Sequence, residues 1–217
     1  MLGHLASMNH KCRLYLITPP TIIHEFPAML TEALEGGDVA CVQARFKGAE
    51  DKEILAIAQD LREICFKKSV AFIINDRPDL AKKIGADGVH LGQEDPSIQL
   101  ARQMLEPKAI VGVTCHNSKD LAIAAADQGA DYVAFGAFFN TSTKIPRSRC
   151  EIDILKWWSD LLTVPSVAIG GINPNNCAGL VGAKADFLAV SSAIWGHPGG
   201  PALGVKAFNE AIIRALD

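Results

Sequence analysis

The strongest constraint on the fold is a turn that the chain uses three times. Residues 84–89, 128–133 and 183–188 read IGADGV, QGADYV and AKADFL. Each follows a segment with helical spacing and leads into a short apolar, β-branched run. A glycine at the end of a helix lets the chain turn back towards the next strand. The pattern predicts one helix-to-strand junction repeated along the chain.

Short apolar runs recur eight times, and segments with helical spacing lie between them. Strands that alternate with helices pair in parallel through right-handed crossovers, and eight such units fit a closed barrel of minimal size. We therefore predict an α/β fold, a single-domain (β/α)8 TIM barrel over residues 1–217, with residues 1–11 as a flexible leader. An open doubly wound sheet is the alternative, but no GxGxxG follows the first strand. The predicted strands cover residues 13–18, 39–46, 70–74, 88–91, 110–115, 132–138, 166–170 and 187–192.

Composition narrows the classes of ligand. The chain has 21 Lys and Arg against 24 Asp and Glu, so a broad basic field for nucleic acid is absent. No apolar run has the roughly 18 residues of a membrane span. The six cysteines include no CxxC pair, which argues against a zinc site or a disulfide framework. We expect reduced thiols, a cytoplasmic location and small-molecule partners, and a homo-oligomer is compatible with the sequence.

Acidic and amide side chains stand where two predicted strands end. Asn75 and Asp76 end the third strand, and Asp95 follows the fourth. All strand ends of one kind face the same mouth of a barrel, so these loops should be neighbours. Two close carboxylates repel each other unless a cation lies between them, and Mg²⁺ typically takes one or two carboxylates. Asp76 and Asp95 are thus a candidate Mg²⁺ pair; alternatively, each caps the helix that follows it.

Cationic side chains follow the second predicted strand. Alternation along a strand would turn Gln43, Arg45 and Lys47 to one side. In a barrel lumen such charges need an anion, which a diphosphate would supply. The alternative is a solvated strand end with a salt bridge to the helices.

Three further loops carry groups that suit phosphate. The loop after strand six offers hydroxyls and a cation, and the loops after strands seven and eight often form a phosphate cup in such barrels. Glycines there would let backbone amides approach a phosphate. The alternative is that the glycines serve only a tight turn. The residues are Thr141, Ser142, Thr143, Lys144, Gly170, Gly171, Ser191 and Ser192.

Three other residues have chemical potential. His90 lies between Val89 and Leu91, which favours a hydrogen-bonded core histidine over a ligand. His116 is nearer the mouth, so a role in proton transfer stays open. Cys115 is a candidate nucleophile, although no neighbouring base is evident.

Several segments, taken together, resemble one enzyme family. Over roughly residues 13–196, the segments QARFK, INDRPDLA, ADGVHLGQED, FFNTSTK, AIGGI and VSSAI resemble thiamine phosphate synthases in order and spacing. The resemblance implies a (β/α)8 barrel and a Mg²⁺-dependent transferase. Its substrates would be hydroxymethylpyrimidine diphosphate and hydroxyethylthiazole phosphate, and its products thiamine phosphate and pyrophosphate.

The resemblance also implies roles for individual residues. The pyrimidine diphosphate would contact Gln43, Arg45, Lys47, Asn75, Thr114 and Lys144. The thiazole phosphate would contact Thr141, Ser142, Thr143, Gly171, Ser191 and Ser192. Asp76 and Asp95 would bind Mg²⁺, and Arg45, Lys47 and Lys144 would be catalytic because they stabilise the departing pyrophosphate.

Two related functions remain as alternatives, and a third is another phosphate-binding barrel, an isomerase or epimerase, which would need a positioned acid and base that the sequence does not identify. A thiazole tautomerase of the same superfamily would not need the Mg²⁺ carboxylates, but His116 would suit it. A catalytically silent barrel that binds thiamine intermediates is favoured by the loop around Asn140, which lacks both prolines that the family usually has there.

Overall fold

The computed structural model describes residues 12–140 and 149–217. The predicted leader at residues 1–11 and the predicted site residues Thr141, Ser142, Thr143 and Lys144 lie outside the described residues. In the described part, no helix is long and apolar enough to cross a membrane.

The strands close into a barrel. They are parallel, and each pairs with the next in sequence until β8 pairs with β1. The predicted (β/α)8 barrel is confirmed, and the open sheet is wrong because the last strand bonds to the first. The strands are β1 (Arg13–Ile17), β2 (Val39–Ala44), β3 (Ala71–Asn75), β4 (Gly88–Leu91), β5 (Ile110–His116), β6 (Tyr132–Gly136), β7 (Ser166–Ile169) and β8 (Phe187–Val190).

Helices alternate with the strands around the outside. Helix α2 shows why: Ala58, Leu61 and Cys65 recur three and four residues apart, so they share one face of the helix, and all three are fully buried against the barrel. The helices of the described part are α1 (Phe26–Glu35), α2 (Asp51–Lys67), α3 (Pro78–Ile84), α4 (Ile98–Met104), α5 (Lys119–Asp127), α6 (Asp153–Leu161), α7 (Ala178–Gly182), α8 (Ser192–Trp195) and α9 (Pro201–Leu216).

The buried side chains form two clusters. The larger one fills the layer between strands and helices and includes Trp158 of α6. The smaller one fills the lumen and contains two tyrosines, Tyr15 and Tyr132, among apolar side chains such as Ile73 and Phe187. The lumen is therefore a packed core, but it also contains the polar hydroxyl groups of the two tyrosines.

The repeated junction is a single structural device. In each copy the residue two before the aspartate has positive φ: 67° at Gly85, 86° at Gly129 and 64° at Lys184. The aspartate then accepts a hydrogen bond from a backbone N–H in the first two residues of the preceding strand. These bonds join Phe72 N to Asp87 at 2.8 Å, Val111 N to Asp131 at 2.7 Å, and Ser166 N to Asp186 at 2.8 Å.

Candidate active site

A cavity of about 340 Å³ opens at the carboxyl ends of the strands. All ten described residues to which the family resemblance assigns a role line it, although they come from six different strand-to-helix loops and strand ends. Their roles in binding stay predictions. They are Gln43, Arg45, Lys47, Asn75, Asp76, Asp95, Thr114, Gly171, Ser191 and Ser192.

The two acidic residues meet at one side of the cavity. Asp76 directly follows β3, and its backbone N–H donates to the carbonyl of His90 at 2.8 Å, which accompanies its left-handed φ of 64°. Its carboxyl group lies against that of Asp95. Burial and the neighbouring Asp95 raise the pKa of Asp76 to about 6, whereas the charges of Arg45 and Lys47 act in the opposite direction.

Neither acid caps a helix. The residue before α3 is Arg77, not Asp76. Helix α4 is capped by Ser97, whose Oγ accepts from Leu100 N at 3.2 Å. Asp95 instead accepts the N–H of Gly92 at 2.6 Å, which fixes its loop beside β4. The capping alternative is therefore wrong for both residues.

The cations enter the cavity from the β2 loop. Strand β2 ends at Ala44, so only Gln43 is turned inward by strand alternation, and it is buried. Arg45 and Lys47 reach the cavity from the loop beyond. Burial lowers the pKa of Arg45, and the charge of Asp76 partly offsets this. Arg45 thus lies at the mouth, where its charge interacts with that of Asp76.

The opposite wall is built from backbone and hydroxyls. Gly170 and Gly171 have φ of 105° and 64°, and a Cβ on Gly171 would lie 2.2 Å from the carbonyl oxygen of Asn140. The geometry of the turn is therefore enough to require glycine, as the alternative of a tight turn proposed. The backbone of Gly171 also lines the cavity. Ser191 Oγ donates to the carbonyl of Thr18 at 3.4 Å, which ties the β8 end to the β1 end.

Below the cavity, a row of hydrogen bonds crosses the lumen. Gln43 Nε2 donates to Tyr15 Oη at 2.9 Å, and Tyr15 Oη contacts Tyr132 Oη at 2.8 Å. Tyr132 Oη contacts His90 Nδ1 at 2.8 Å, and His90 Nε2 contacts Thr114 Oγ1 at 2.7 Å. His90 is 8% exposed, so the structure has the hydrogen-bonded core histidine that its apolar neighbours favoured.

The ionisation of His90 follows from this environment. Burial lowers its pKa to about 4; the charge of Asp95 opposes the shift and that of Arg45 adds to it. The ring is therefore neutral at physiological pH, although it lies at the floor of a cavity lined by charged groups.

Sequence reasoning missed the two tyrosines. Tyr15 lies between Leu14 and Leu16 in β1, where alternation could have turned it into the lumen with a polar tip. Tyr132 follows the repeated junction, and Gly112 makes room for it, since a Cβ at Gly112 would lie 1.9 Å from the Tyr132 ring. A lone glycine inside a predicted strand is a sign of such close approach.

The structure places the two remaining candidates, Cys115 and His116, in different surroundings. Cys115 is fully buried and is not part of the cavity lining, and burial raises the pKa of its thiol to about 12, so the structure argues against the nucleophile hypothesis. His116 does line the cavity, with a φ of 53°, and its role stays open.

The acidic pair suits a divalent cation that keeps other ligands. Among the described residues, no three His, Cys, Asp or Glu side chains cluster as a complete metal site. Mg²⁺ does not require one, because it is commonly held by one or two carboxylates together with water and substrate phosphate oxygens. The pKa of Asp76 is raised despite the charges of Arg45 and Lys47, so a further positive charge between the two carboxylates would relieve their repulsion.

Comparisons with known proteins agree with this geometry. The sequence model described as thiamine monophosphate synthase matches residues 14–194. A thiamine-phosphate synthase of Rhodospirillum centenum is 53% identical over 202 residues, covering 93% of this chain and 98% of the relative. One of Erythrobacter litoralis is 47% identical over 215 residues, covering 97% and 100%. The solved thiamine phosphate pyrophosphorylase of Pyrococcus furiosus superposes with a TM-score of 0.83 at 31% identity, covering 96% and 98%. The resemblance found in the sequence is confirmed, and the chain belongs to the thiamine monophosphate synthase family.

Proposed function

We propose that the chain is a transferase that joins hydroxymethylpyrimidine diphosphate to hydroxyethylthiazole phosphate, giving thiamine phosphate and pyrophosphate. The observation that carries the proposal is a pair of carboxylates, Asp76 and Asp95, facing the cations Arg45 and Lys47 across one cavity. Relatives that bear the synthase name cover nearly the whole chain, which supports the same activity.

The bond changes make clear what the protein must supply. The C–O bond between the pyrimidine methylene and the diphosphate breaks, and its electron pair leaves with pyrophosphate. The thiazole nitrogen then forms the new C–N bond with the methylene carbon. The electron-rich aminopyrimidine spreads the intermediate positive charge, so no protein nucleophile is needed. A buried, neutral Cys115 is compatible with that route.

The chain's own residues stabilise the leaving group and align the partners. Arg45 and Lys47 line the cavity and would stabilise the negative charge that grows on the departing pyrophosphate, and a half-buried guanidinium would act more strongly there than one in water. Mg²⁺, held by Asp76 and Asp95, would supply further positive charge to the diphosphate. The wall formed by Gly171, Ser191 and Ser192 would hold the thiazole phosphate and thus keep its nitrogen close to the methylene carbon.

The location that we propose is the cytoplasm. All six cysteines are unpaired and buried, with thiols that a reducing compartment would preserve. Both proposed substrates are phosphorylated small molecules, which match a cavity lined by Arg45, Lys47 and backbone amides.

The decisive experiment mixes the purified protein with Mg²⁺ and both phosphorylated precursors. We expect thiamine phosphate and pyrophosphate in equal amounts, and no product when EDTA replaces Mg²⁺. Excess Mg²⁺ added back should restore the rate. Tight binding of thiazole phosphate with no turnover would contradict the proposal and select the silent barrel, while isomerisation of the thiazole alone would select the tautomerase.

A further inference from the structure

The row of hydrogen bonds through the lumen has both of its ends in the substrate cavity. Gln43 stands at one end and Thr114 at the other, and both line the cavity. Between them Tyr15 and Tyr132 are fully buried and His90 nearly so. A buried chain of this kind is satisfied only if every hydrogen has an acceptor, so the direction of its bonds can be deduced from its ends.

The direction is set at the Gln43 end. The Gln43 Nε2 atom is a donor and cannot accept, so Tyr15 Oη accepts there. The Tyr15 hydrogen then goes to its next partner, Tyr132 Oη. The Tyr132 hydrogen in turn goes to His90 Nδ1, which must be unprotonated to accept it.

Neutral histidine carries one ring hydrogen, and here it falls on Nε2. His90 Nε2–H therefore donates to Thr114 Oγ1. Since the hydroxyl oxygen is then an acceptor from His90, its own hydrogen is directed elsewhere. Thr114 borders the cavity, so this hydrogen is available to a ligand.

The opposite direction leaves one hydrogen poorly placed. If Thr114 donated to His90, then His90 would donate to Tyr132 and Tyr132 to Tyr15. The Tyr15 hydrogen would be left with the thiol of Cys41, its other neighbour, and sulfur is a weak acceptor. With Nε2 of Gln43 directed at Tyr15 Oη, every buried hydrogen has a strong acceptor only when the chain runs from Gln43 to Thr114.

We propose that His90 is a positioning residue that, held as its Nε2–H tautomer by Tyr132, turns the Thr114 hydroxyl into a hydrogen-bond donor for an acceptor nitrogen of the bound heterocycle. The role of Thr114 towards substrate rests on the proposed function, whereas the tautomer does not. Thr114 is also fixed through its backbone, because Gln93 Nε2 donates to its carbonyl at 2.6 Å. The side-chain rotation is thus the freedom that remains for His90 to control.

The tautomer can be measured without any substrate. In protein labelled with ¹⁵N-histidine, NMR distinguishes a ring nitrogen that carries hydrogen from one that does not. We expect Nε2 of His90 protonated and Nδ1 unprotonated between about pH 6 and 8, with His90→Gln used to assign the signals. Protonation of Nδ1 instead would overturn the proposed direction of the chain, whether or not the protein is active.

Activity tests whether His90 works through Thr114. In His90→Leu the hydroxyl loses its fixed orientation, so kcat/KM for the pyrimidine diphosphate should fall about tenfold, the effect of roughly one oriented hydrogen bond. In a Thr114→Val background, the same His90→Leu change should lower kcat/KM by less than about twofold, because the hydroxyl is already gone. His90→Gln, whose amide can still donate near Thr114 Oγ1, should recover most of the loss.

The double-mutant comparison separates positioning from mere structural support. Equal tenfold losses in both backgrounds would show that His90 acts on folding or elsewhere in the site, and would overturn the proposal. Thermal melting of each variant confirms that folded protein is compared. If the unaltered protein makes no thiamine phosphate, the proposed function fails, but the tautomer measurement still decides the hydrogen-bond direction.

Discussion

The two ends of the barrel use the same side chain in opposite ways. At the amino ends of the strands, Asp87, Asp131 and Asp186 each accept a backbone N–H of a neighbouring strand at 2.7 or 2.8 Å. At the carboxyl ends, Asp76 and Asp95 lie against each other, and the pKa of Asp76 is raised to about 6 by burial and by Asp95. The aspartates at the amino ends stabilise the folded state, whereas the two at the carboxyl ends repel each other and destabilise it.

This difference separates stability from function along one axis. In barrels of this kind, the amino-end face supports the fold while the carboxyl-end loops carry chemistry. The contacts show how the separation works here: the amino-end aspartates are held by backbone N–H groups, whereas Asp76 and Asp95 line the cavity beside each other. Substitutions at the two ends should therefore have opposite consequences for activity and stability.

The largest effect is expected from Asp76→Asn. Asparagine tolerates the left-handed φ of 64° at this position and removes only the charge. If the carboxylate helps to neutralise the transition state through its bound cation, turnover should fall about a hundredfold to a thousandfold, roughly 3–4 kcal/mol. The measurement is the rate of thiamine phosphate formation at saturating Mg²⁺.

The same variant should not lose stability. Removal of a half-buried charge that faces Asp95 relieves repulsion, so the urea midpoint without Mg²⁺ should stay equal or rise. A rate within tenfold of the unaltered protein, or a clear loss of stability without Mg²⁺, would erase the distinction between the two ends.

Asp131→Ala should give the converse result. Its carboxylate accepts from Val111 N at 2.7 Å and from the Arg102 guanidinium at 2.6 Å. Truncation leaves a strand N–H without its partner, so the free energy of unfolding should fall by about 2 kcal/mol. The rate of product formation should be unchanged at a temperature where the protein is folded.

Asp127→Ala provides a matched control for that substitution. Asp127 is exposed at the end of α5, so its truncation should change the free energy of unfolding by less than about 0.5 kcal/mol. Urea unfolding measures both variants. Equal, small changes would mean that the carboxylate bonds at the junction contribute little.

The floor of the cavity lies between the two ends, and pH tests it. The folded pKa of His90 is about 4, against roughly 6.5 when unfolded, so the unfolded state binds the proton more readily. The stability that depends on the neutral ring is fully present above pH 6.5 and is lost as the pH falls towards 4, and the loss amounts to about 2 kcal/mol at pH 5.

Comparison with His90→Gln isolates this contribution. The variant has no group that titrates at position 90, so between pH 7 and 5 it should lose about 2 kcal/mol less than the unaltered protein. Urea unfolding at both pH values, without Mg²⁺, provides the four free energies. Parallel losses in the two proteins would show that His90 is not held neutral.

The fold was predictable because its signals are local and repeated. The junction at residues 84–89 recurs with nearly the same letters, and the α2 stripe of Ala58, Leu61 and Cys65 reads directly as a helix face. The ends of the strands were less certain: β2 stops at Ala44, two residues before its predicted end, because no alternation marks where a strand leaves the sheet.

The site was predictable where barrel geometry gathers strand ends, and hidden where it depends on the lumen. Asp76, Asp95 and Arg45 could be placed at one mouth from their positions after strands. Tyr15 and Tyr132 could not be paired, because their contact depends on the stagger of β1 and β6 around the barrel and on the space that Gly112 leaves. Hydrogen-bond partners 117 residues apart leave no trace in local sequence.

The smallest expected effect concerns the one junction that departs from glycine. Lys184 occupies the left-handed position, with φ of 64°, that Gly85 and Gly129 take in the other copies. A residue with a Cβ loses about 1–2 kcal/mol of stability in this conformation, and glycine avoids that strain. Part of the gain is offset because glycine loses more conformational entropy on folding. The exposed Lys184–Asp160 ion pair, 3.1 Å long, contributes little. Lys184→Gly should therefore raise the free energy of unfolding by about 0.5–1 kcal/mol.

Two further variants serve as controls. Lys184→Ala, which loses the ion pair but keeps the strain, should give no gain in the free energy of unfolding. In Gly129→Ala a Cβ would meet open space but would be strained, so the free energy of unfolding should fall by about 1 kcal/mol. Urea unfolding of the three variants, with product formation unchanged in each, would show that the amino end of the barrel can be stabilised without any effect at the mouth; a change in rate would show instead that the two ends are coupled.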